Sequence, residues 1–212
     1  MKAIFYDWGG LNVTLFHSIN NFHPDNWDSL MLMGTMLANH QLFPLYLAAL
    51  SLFAVIAVSK IPTTNFTYYQ QHTTLWVNTL AVFSIAYVLD GYLLGMLKPL
   101  LDFPRPPLAL PIASLHIIGA PEFHHSLPSG HSSFAMLVIA SIWPILRHEL
   151  RILGVFFILW VGISRISLGA HFPADVMAGW ASSLFIVLLV RWVLSQIQPR
   201  YLTGLQNKRK TR

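Results

Sequence analysis

The chain has 212 residues, of which 55% are hydrophobic and only 10% are charged, whereas soluble domains usually carry about 25% charged residues. With a mean hydropathy of +0.56, this composition excludes an ordinary soluble domain and indicates a membrane protein, so the net charge of +5 does not lead us to expect a nucleic-acid partner. The absence of cysteine excludes disulfide bridges, thiolate metal ligands and a thiolate nucleophile.

The beginning of the chain predicts a short amphipathic helix rather than a cleavable signal peptide. Asp7, Gly9 and Gly10 interrupt the sequence before any apolar run develops, so we expect insertion through internal spans. Apolar residues then recur at helical spacing through residues 11–22, with polar residues between them. We predict that this helix lies on the membrane surface, and packing on the helix bundle is an equally good interpretation. Residues 31–37 either extend the first span or form a separate short helix.

Five apolar runs follow, each close to the length of about 20 residues that a helix needs to cross the hydrocarbon core. They cover residues 42–59, 75–97, 129–146, 152–168 and 176–194. We therefore predict an all-α fold, a polytopic membrane helical bundle of about five transmembrane helices plus the N-terminal amphipathic helix. Because no repeat or low-complexity tract divides the chain, residues 1–212 are predicted to form a single domain with a motif-bearing core at about 75–194.

The connection between the second and third spans, residues 99–128, is rich in proline. Proline lacks the backbone N–H that a helix interior requires, so this stretch cannot form a spanning helix. We predict an ordered or semi-ordered outer loop whose apolar part, residues 108–118, lies against the membrane. The sequence does not decide whether the loop controls entry to a site.

Lysine and arginine are unevenly distributed around these spans. With a cytoplasmic C-terminus, the five spans place nine of the thirteen on the cytoplasmic side, as the positive-inside rule expects. Four of these nine belong to the tail: Lys208, Arg209, Lys210 and Arg212. The other side keeps Lys2, Lys98, Arg105 and Arg165. We therefore predict a multi-pass protein of the cell inner (cytoplasmic) membrane with a site on the periplasmic or extracellular side.

Three of the outer cations lie in short polar strings at the ends of apolar runs. Lys98, Arg105 and Arg165 can stabilise the negative charge that spreads over phosphate oxygens during phosphoryl transfer. Arginine presents a planar fork to two oxygens, and lysine acts as a point charge. Alternatively, Lys98 extends from its helix end towards water and Arg165 pairs with Asp175.

Ser129, Gly130 and His131 lie where the outer loop becomes a helix. Ser129 suits the N-cap position, Gly130 permits close backbone approach, and the free amides of a helix N-terminus attract an anion. We predict that His131 donates a proton to the leaving oxygen as general acid. In the simpler interpretation, Ser129 is only a helix cap.

His171 precedes Asp175 by four residues, which places both side chains on one face if the helix has begun. A carboxylate bonded to one ring nitrogen fixes the tautomer and leaves the other nitrogen free to attack phosphorus. We predict that His171 is a nucleophile that forms a phosphohistidine and that Asp175 orients it, although the same spacing suits a simple pair at a helix end. Asp90, inside the second span, is predicted to be neutral or paired with a cation of the site.

The three strings K-x6-R-P, P-S-G-H and S-R-x5-H-x3-D, in this order, resemble those of the type 2 phosphatidic acid phosphatase superfamily. All eleven specified residues are present: Lys98, Arg105, Pro106, Pro128, Ser129, Gly130, His131, Ser164, Arg165, His171 and Asp175. The resemblance covers residues 75 to about 194. It implies a metal-independent lipid phosphatase without a cofactor, built as a helical bundle, whose second histidine is the nucleophile and whose first is the acid.

The short five-span form, with the N-terminal stretch around Leu11 and Asn12, resembles the bacterial undecaprenyl diphosphate phosphatases. Many of those proteins carry aspartate at the position of Gly130. The resemblance favours undecaprenyl diphosphate as the substrate and leaves phosphatidylglycerophosphate, phosphatidate and the phosphates of lipid A as alternatives.

Other hypotheses share the same motifs. A phosphotransferase would pass the phosphoryl group to a lipid hydroxyl instead of water, and a non-catalytic membrane protein would bind or move lipid phosphates through the same basic cup. The vanadate-dependent haloperoxidases also resemble these motifs, but they are soluble, and the five apolar spans argue against them. The sequence does not predict an oligomeric state.

Overall fold

The computed structural model describes residues 6–210, with side chains described through residue 197. Within this range the chain folds into eight α-helices joined by turns and one long outer loop. They are α1 (Leu11–Asn20), α2 (Trp27–Leu37), α3 (Phe43–Ser59), α4 (Phe66–Leu101), α5 (Pro106–Ala109), α6 (Gly130–Ile142), α7 (His148–Ser167) and α8 (Pro173–Lys210).

Four helical segments among the described residues are long and apolar enough to cross a membrane. They are His40–Ser59, Phe66–Ala109, His148–Ser167 and Pro173–Ile197. The second of these combines the long helix α4 with residues 102–105, which are not helical, and the short α5. The predicted all-α membrane bundle is therefore confirmed, with one difference in length. The run predicted as the third span forms only the 13 residues of α6, followed by a 3-10 turn at Trp143–Ile145. At 1.5 Å per residue, α6 is only about 20 Å long.

The short helix α6 is the most enclosed helix of the bundle. Its neighbours are α4, α7 and α8, and eight of its 13 residues are buried. The main apolar core forms around it from buried side chains of α4, α6, α7 and α8. By contrast, α3 has only Ala54 buried, so its apolar side chains are suited to face lipid.

Arg191 of α8 holds the C-terminal end of α6. The last carbonyl groups of a helix have no partner within the helix, and such groups are costly to leave unpaired inside a membrane. The Nη2 group of Arg191 donates to the carbonyl oxygens of Ala140 and Ser141, each at 2.7 Å. The sequence indicated only a cytoplasmic cation at this position. The structure adds that this cation satisfies the end of a short helix.

The start of α6 lies almost in backbone contact with α8. A Cβ atom added to Gly179 would lie 2.5 Å from the carbonyl oxygen of Ser129 and 3.1 Å from the amide of Ser133. The amide of Ser129 also donates to the carbonyl oxygen of Asp175 at 2.9 Å. Gly179 therefore allows α8 to fix the position at which α6 begins.

The N-terminal helix α1 packs on the bundle through one face. Asn12, Phe16 and Asn20 are spaced four residues apart on α1, and all three are buried. The Asn20 side chain bonds the backbone of His116 at 2.7 and 2.9 Å and donates to the carbonyl oxygen of Ser167 at 2.9 Å. Of the two interpretations of this helix, the structure shows packing on the bundle, because two asparagines find buried backbone partners there.

The structure decides one boundary that the sequence left open and corrects another. Residues 31–37 belong to α2, which ends at Leu37 and is separated from α3 by a 3-10 turn at His40–Leu42. At the other boundary, α4 continues through Pro99 to Leu101, so the outer loop begins later than predicted. That loop is ordered by α5 and by a 3-10 turn at Ile112–Ser114.

The membrane orientation stays a prediction. Lys2 lies outside the described residues, and the side chains of Arg200 and of the tail cations lie outside the described side chains. The described outer cations Lys98, Arg105 and Arg165 all lie at one end of the bundle, near the end of α4 and in the last turn of α7.

We expect Gly179→Ala to lower the free energy of unfolding by about 1–3 kcal/mol, because its methyl group must push Ser129 and α6 away from α8. Gly95→Ala is the matched control, since no atom lies within 4 Å of the added methyl group and alanine favours a helix by about 1 kcal/mol. Thermal unfolding in detergent micelles measures both. Equal melting temperatures for the two variants would contradict the proposed backbone contact.

Candidate active site

Helix ends and the outer loop bring the predicted site residues to one end of the bundle. Lys98 is in the last turn of α4, Arg105 precedes α5, and Arg165 is in the last turn of α7. Ser129, Gly130 and His131 form the start of α6, and Asp175 is in the first turn of α8. His171 lies in the short connection between α7 and α8.

Arg105 is a buried cation with four partners. Only 6% of its surface is exposed. Its Nη1 group lies 3.4 Å from Nε2 of His171 and 3.3 Å from the carbonyl oxygen of Ala170. Its Nε group donates to the carbonyl oxygen of His124 at 3.0 Å, and its Nη2 group pairs with the Glu122 carboxylate at 2.6 Å. These contacts fix the guanidinium beside the imidazole of His171.

The neighbours of His171 determine its tautomer. A guanidinium group can only donate, so the Nε2 atom that faces Arg105 acts as an acceptor and carries the lone pair. The ring proton then belongs to Nδ1, which lies 3.4 Å from Oδ2 of Asp175 and 3.4 Å from Oγ of Ser126. The ring is therefore arranged with its unprotonated nitrogen towards the cations.

Burial lowers the pKa of His171 well below its usual value, and the positive charges of Arg165, Arg105 and Lys98 lower the pKa further. The imidazole is thus neutral at neutral pH. Only the neutral ring has a lone pair with which to attack an electrophile.

Asp175 is fully buried and accepts hydrogen bonds from several parts of the chain. Its Oδ1 accepts from the hydroxyl of Tyr6 at 2.9 Å. Its Oδ2 accepts from the amide of Phe172 at 2.8 Å and from the hydroxyl of Ser126. Burial and the neighbouring Asp175 carboxylate raise the pKa of Tyr6, so its hydroxyl remains a donor. Together with His171, these donors surround the carboxylate.

Arg165 does not pair with Asp175, which was the alternative left open by the sequence. It is 8% exposed, and its Nη1 group donates to Oγ1 of Thr35 on α2 at 3.3 Å. Its Nε is buried without a hydrogen-bond partner among the described residues. A buried cation with an unused donor is suited to bind an anion. Arg105, Arg165 and Thr35 together line a cavity of about 210 Å³.

The N-terminus of α6 is also available to an anion. Ser129 occupies the N-cap position, but its side chain makes no capping hydrogen bond and instead accepts from the hydroxyl of Ser132 at 3.0 Å. The first amides of α6 are therefore left without a side-chain cap, and they add a partial positive charge to the site.

Gly130 and His131 bring two further groups to this point. A Cβ atom on Gly130 would lie 3.4 Å from Nε2 of His40 and 4.0 Å from Nζ of Lys98, which are ordinary contact distances, so both groups lie close to the start of α6. His131 is half-buried, and its ring has no hydrogen-bond partner in the described part of the chain. Its electrostatic neighbours include Arg165, His171 and Lys98, so the two histidines share one site.

Asp90 lies deeper in the bundle and contacts hydroxyl groups instead of a site cation. Both of its carboxylate oxygens accept from Ser133 at 2.8 Å, and Oδ1 accepts from Ser183 at 2.7 Å. Among the hydrogen bonds and ion pairs of residues 6–197, none joins Asp90 to a cation. This cluster ties α4, α6 and α8 together below the site.

Sequence reasoning missed five residues of this site: Tyr6, Thr35, His40, Glu122 and Ser126. None of them lies in the three strings: Tyr6, Thr35 and His40 come from the N-terminal part of the chain, and Glu122 and Ser126 lie in the outer loop between the first and second strings. One weak signal was present for Glu122, which is the one carboxylate in residues 103–128. An isolated acid in an outer loop beside a basic motif is a plain candidate for an ion pair.

The arrangement is suited to covalent chemistry on a bound oxyanion. Fixed cations and helix amides would hold the oxygens, while the neutral His171 ring presents a lone pair to the same region. His131 supplies a second imidazole for proton transfer.

Several known proteins resemble this chain in sequence or in fold. The model of the PAP2 superfamily matches residues 79–199, more than half of the chain. A lipid A 1-phosphatase of Rhizobium johnstonii is 29% identical over 129 residues, covering 57% of this chain and 49% of that protein. A lipid A 1-phosphatase of Rhizobium etli is 34% identical over 71 residues, covering 34% of this chain and 30% of that protein. The chain thus spans half or less of the length of these relatives.

Two solved structures share the fold. Aquifex aeolicus LpxE has a TM-score of 0.65 at 21% identity, over 85% of this chain and 94% of that one. A PAP2-type phosphatidylglycerolphosphate phosphatase of Bacillus subtilis also has a TM-score of 0.65, at 20% identity, over 91% of this chain and 88% of that one.

The lowered pKa of His171 predicts a pH dependence of stability. The folded protein resists protonation of this ring and the unfolded chain does not, so below about pH 6.5 the unfolded state binds more protons. We expect wild-type stability to fall relative to His171→Gln as the pH is lowered from 7 to 5, by up to about 1.4 kcal/mol per unit. Melting temperatures in detergent across this pH range test it. Parallel curves for the two proteins would count against a neutral, cation-flanked His171.

Proposed function

The chain belongs to the PAP2 superfamily, and from this we propose that it is an integral-membrane lipid phosphatase that removes a phosphate from a lipid phosphate or diphosphate through a phosphohistidine. The observation that carries the proposal is the orientation of His171, whose Nε2 lies 3.4 Å from the Arg105 guanidinium while Nδ1 faces Asp175 and Ser126. The four helical segments able to cross a membrane support a lipid as the substrate.

The first half of the proposed reaction forms the covalent intermediate. The lone pair on Nε2 of His171 attacks phosphorus, the bond from phosphorus to the lipid oxygen breaks, and His131, as the imidazolium, gives its proton to that oxygen. Burial and the neighbouring cations lower the pKa of His131 to about 3, so in this proposal the negative charge of the substrate phosphate raises that pKa and protonates the ring before the step. Asp175 and Ser126 hold the Nδ1 side of the ring and stabilise the positive charge that it gains.

The second half returns the enzyme to its starting state. A water molecule attacks phosphorus, His131 takes the proton from that water, and the bond to Nε2 of His171 breaks. Inorganic phosphate is released. A lipid hydroxyl in place of the water would make the same intermediate a phosphotransferase.

The proposed phosphate-binding groups are Lys98, Arg105, Arg165, Ser129 and Gly130. Arg165 supports this role because its buried Nε has no partner within the described side chains. At the start of α6, the amides lack a side-chain cap. Side-chain cations at these positions supply the charge that phosphoryl transfer requires, so we propose a reaction independent of metal ions.

The substrate proposal is a lipid phosphate at the outer face of the inner membrane, with the C-terminus in the cytoplasm. Both curated relatives carry the name lipid A 1-phosphatase, which supports a phosphate of lipid A as the first compound to test. Undecaprenyl diphosphate, favoured by the short five-span form, is the second. Phosphatidylglycerophosphate is the third.

His171→Asn is expected to reduce turnover by about 10³-fold or more and to abolish the acid-labile, base-stable phosphoenzyme, because the nucleophile is gone. Rapid acid or base quenching of a reaction with a 32P-labelled lipid phosphate measures the covalent species. His148→Asn is the control, since His148 is exposed at the far end of α7. A labelled enzyme that persists in His171→Asn would reject His171 as the attacking group, and tight binding without turnover by wild type would favour a binding protein.

A panel of lipid phosphates tests the substrate and the role of metal ions together. We expect detergent-solubilised enzyme to release phosphate from one of the three lipid classes at least about tenfold faster than from the others. The rate should be unchanged in excess chelator, because the proposed site uses only side-chain and backbone charges. Loss of activity that magnesium restores would contradict metal independence, and transfer of label to an added acceptor lipid would identify a phosphotransferase.

A further inference from the structure

One exposed segment of the outer loop, residues 119–125, lies between two anchored points. Before it, the amide of Ile118 donates to the carbonyl oxygen of Leu168 at 3.4 Å. After it, Ser126 is fully buried and donates to Asp175. All seven residues between these anchors are exposed, so the segment can move without disturbing the core.

Arg105 makes three of the contacts that hold this segment, and Nδ1 of His125 adds contacts with the carbonyl oxygen of Lys98 and with Asp102, each at 3.1 Å. The backbone amide of Arg105 donates to the carbonyl oxygen of Phe123 at 2.9 Å, and its Nε donates to the carbonyl oxygen of His124 at 3.0 Å. The third contact is the ion pair between Nη2 and the carboxylate of Glu122 at 2.6 Å. The Arg105 side chain is 7% exposed and the Glu122 side chain is 64% exposed.

The ion pair lies within the proposed phosphate site. The same guanidinium that binds Glu122 through Nη2 contacts Nε2 of His171 through Nη1 at 3.4 Å. Glu122 also lines the cavity between Arg105 and Arg165. A carboxylate and a phosphate use the same donors of an arginine fork, so both cannot occupy Nη2 fully at once.

We propose that Glu122 is a displaceable anion on Arg105 that competes with phosphate for the guanidinium and so favours release of the phosphate product. This inference rests on the proposed function. A lipid phosphate displaces Glu122 because its hydrocarbon chain, held in the bilayer, supplies binding energy remote from the phosphate. Inorganic phosphate has no such chain, so Glu122 returns to Arg105 and the product leaves.

The exposure of Glu122 makes the exchange reversible. A largely exposed carboxylate is readily rehydrated when it leaves its partner, whereas the buried Arg105 guanidinium is stabilised by an anion beside it. Phosphate binding therefore replaces one anion on Arg105, the Glu122 carboxylate, with another. The buried charge of Arg105 is paired both before and after binding.

A purely structural role for Glu122 predicts the opposite effect of removing its charge. If the ion pair only orients Arg105, Glu122→Gln would misplace the guanidinium and weaken phosphate binding. If Glu122 competes with phosphate, the same variant would bind phosphate more tightly. Tighter phosphate binding by Glu122→Gln would therefore contradict a purely structural role of the ion pair.

The test compares Glu122→Gln with Glu149→Gln. Glu149 is also an exposed glutamate beside an arginine, Arg147 at 4.0 Å, but it lies in the first turn of α7, about 25 Å along the helix from Arg165. We expect the inhibition constants of inorganic phosphate and orthovanadate to fall about fivefold in Glu122→Gln and to stay unchanged in Glu149→Gln. The KM for a lipid phosphate should fall with them. Unchanged or raised constants in Glu122→Gln would overturn the inference.

Two further measurements keep the inference separate from the proposed function. Glu122→Asp keeps the charge but shortens the side chain, and we expect its phosphate affinity to lie between those of wild type and Glu122→Gln. Thermal stabilisation by orthovanadate measures binding without any turnover. If the wild-type protein binds vanadate but hydrolyses no lipid, the proposed function is contradicted, while the vanadate affinities of the Glu122 variants still test the inference. If the protein hydrolyses lipid phosphate and all variants bind vanadate equally, only the role of Glu122 is contradicted.

Discussion

The buried carboxylate of Asp175 is the interaction on which the site depends. A charge that is fully enclosed by protein must be paired or hydrogen-bonded, because transfer out of water is costly. Asp175 meets this requirement with the hydroxyls of Tyr6 and Ser126 and the amide of Phe172. These partners come from the N-terminal segment, the outer loop and the connection between α7 and α8. One acid thus fixes three separate pieces of chain around His171.

The short helix α6 satisfies two opposite requirements at its ends. At its beginning, close packing of Gly179 against Ser129 positions amides that no side chain caps, which leaves them for an anion. At its end, Arg191 binds the carbonyl oxygens of Ala140 and Ser141 and removes the cost of unpaired groups within the membrane. Gly179 and Arg191, both on α8, thus position the two ends of α6.

The cations of the site differ in how they are neutralised. Arg105 has an anion, because Glu122 pairs with it, while Arg165 has only the hydroxyl of Thr35 and a buried Nε without a partner in the described chain. Burial of like charges close together is unfavourable, and their field keeps His171 neutral. A bound phosphate would relieve that repulsion. The mutual repulsion of these cations thus contributes to the affinity of the site for an anion.

The sequence by itself determined the membrane bundle and the family, and it contained the three strings of predicted site residues between Lys98 and Asp175. It could do so because apolar runs, and polar residues at the ends of these runs, form local patterns. It could not determine that the asparagines of α1 face inward, that α6 is too short to match its apolar run, or that Arg165 contacts Thr35. Tyr6 and Ser126 were equally invisible, since Tyr6 is separated from Asp175 by 169 positions and Ser126 by 49. Such contacts depend on how whole helices pack against one another, and no local spacing records that packing, so only the tertiary structure decided which side chains complete the site.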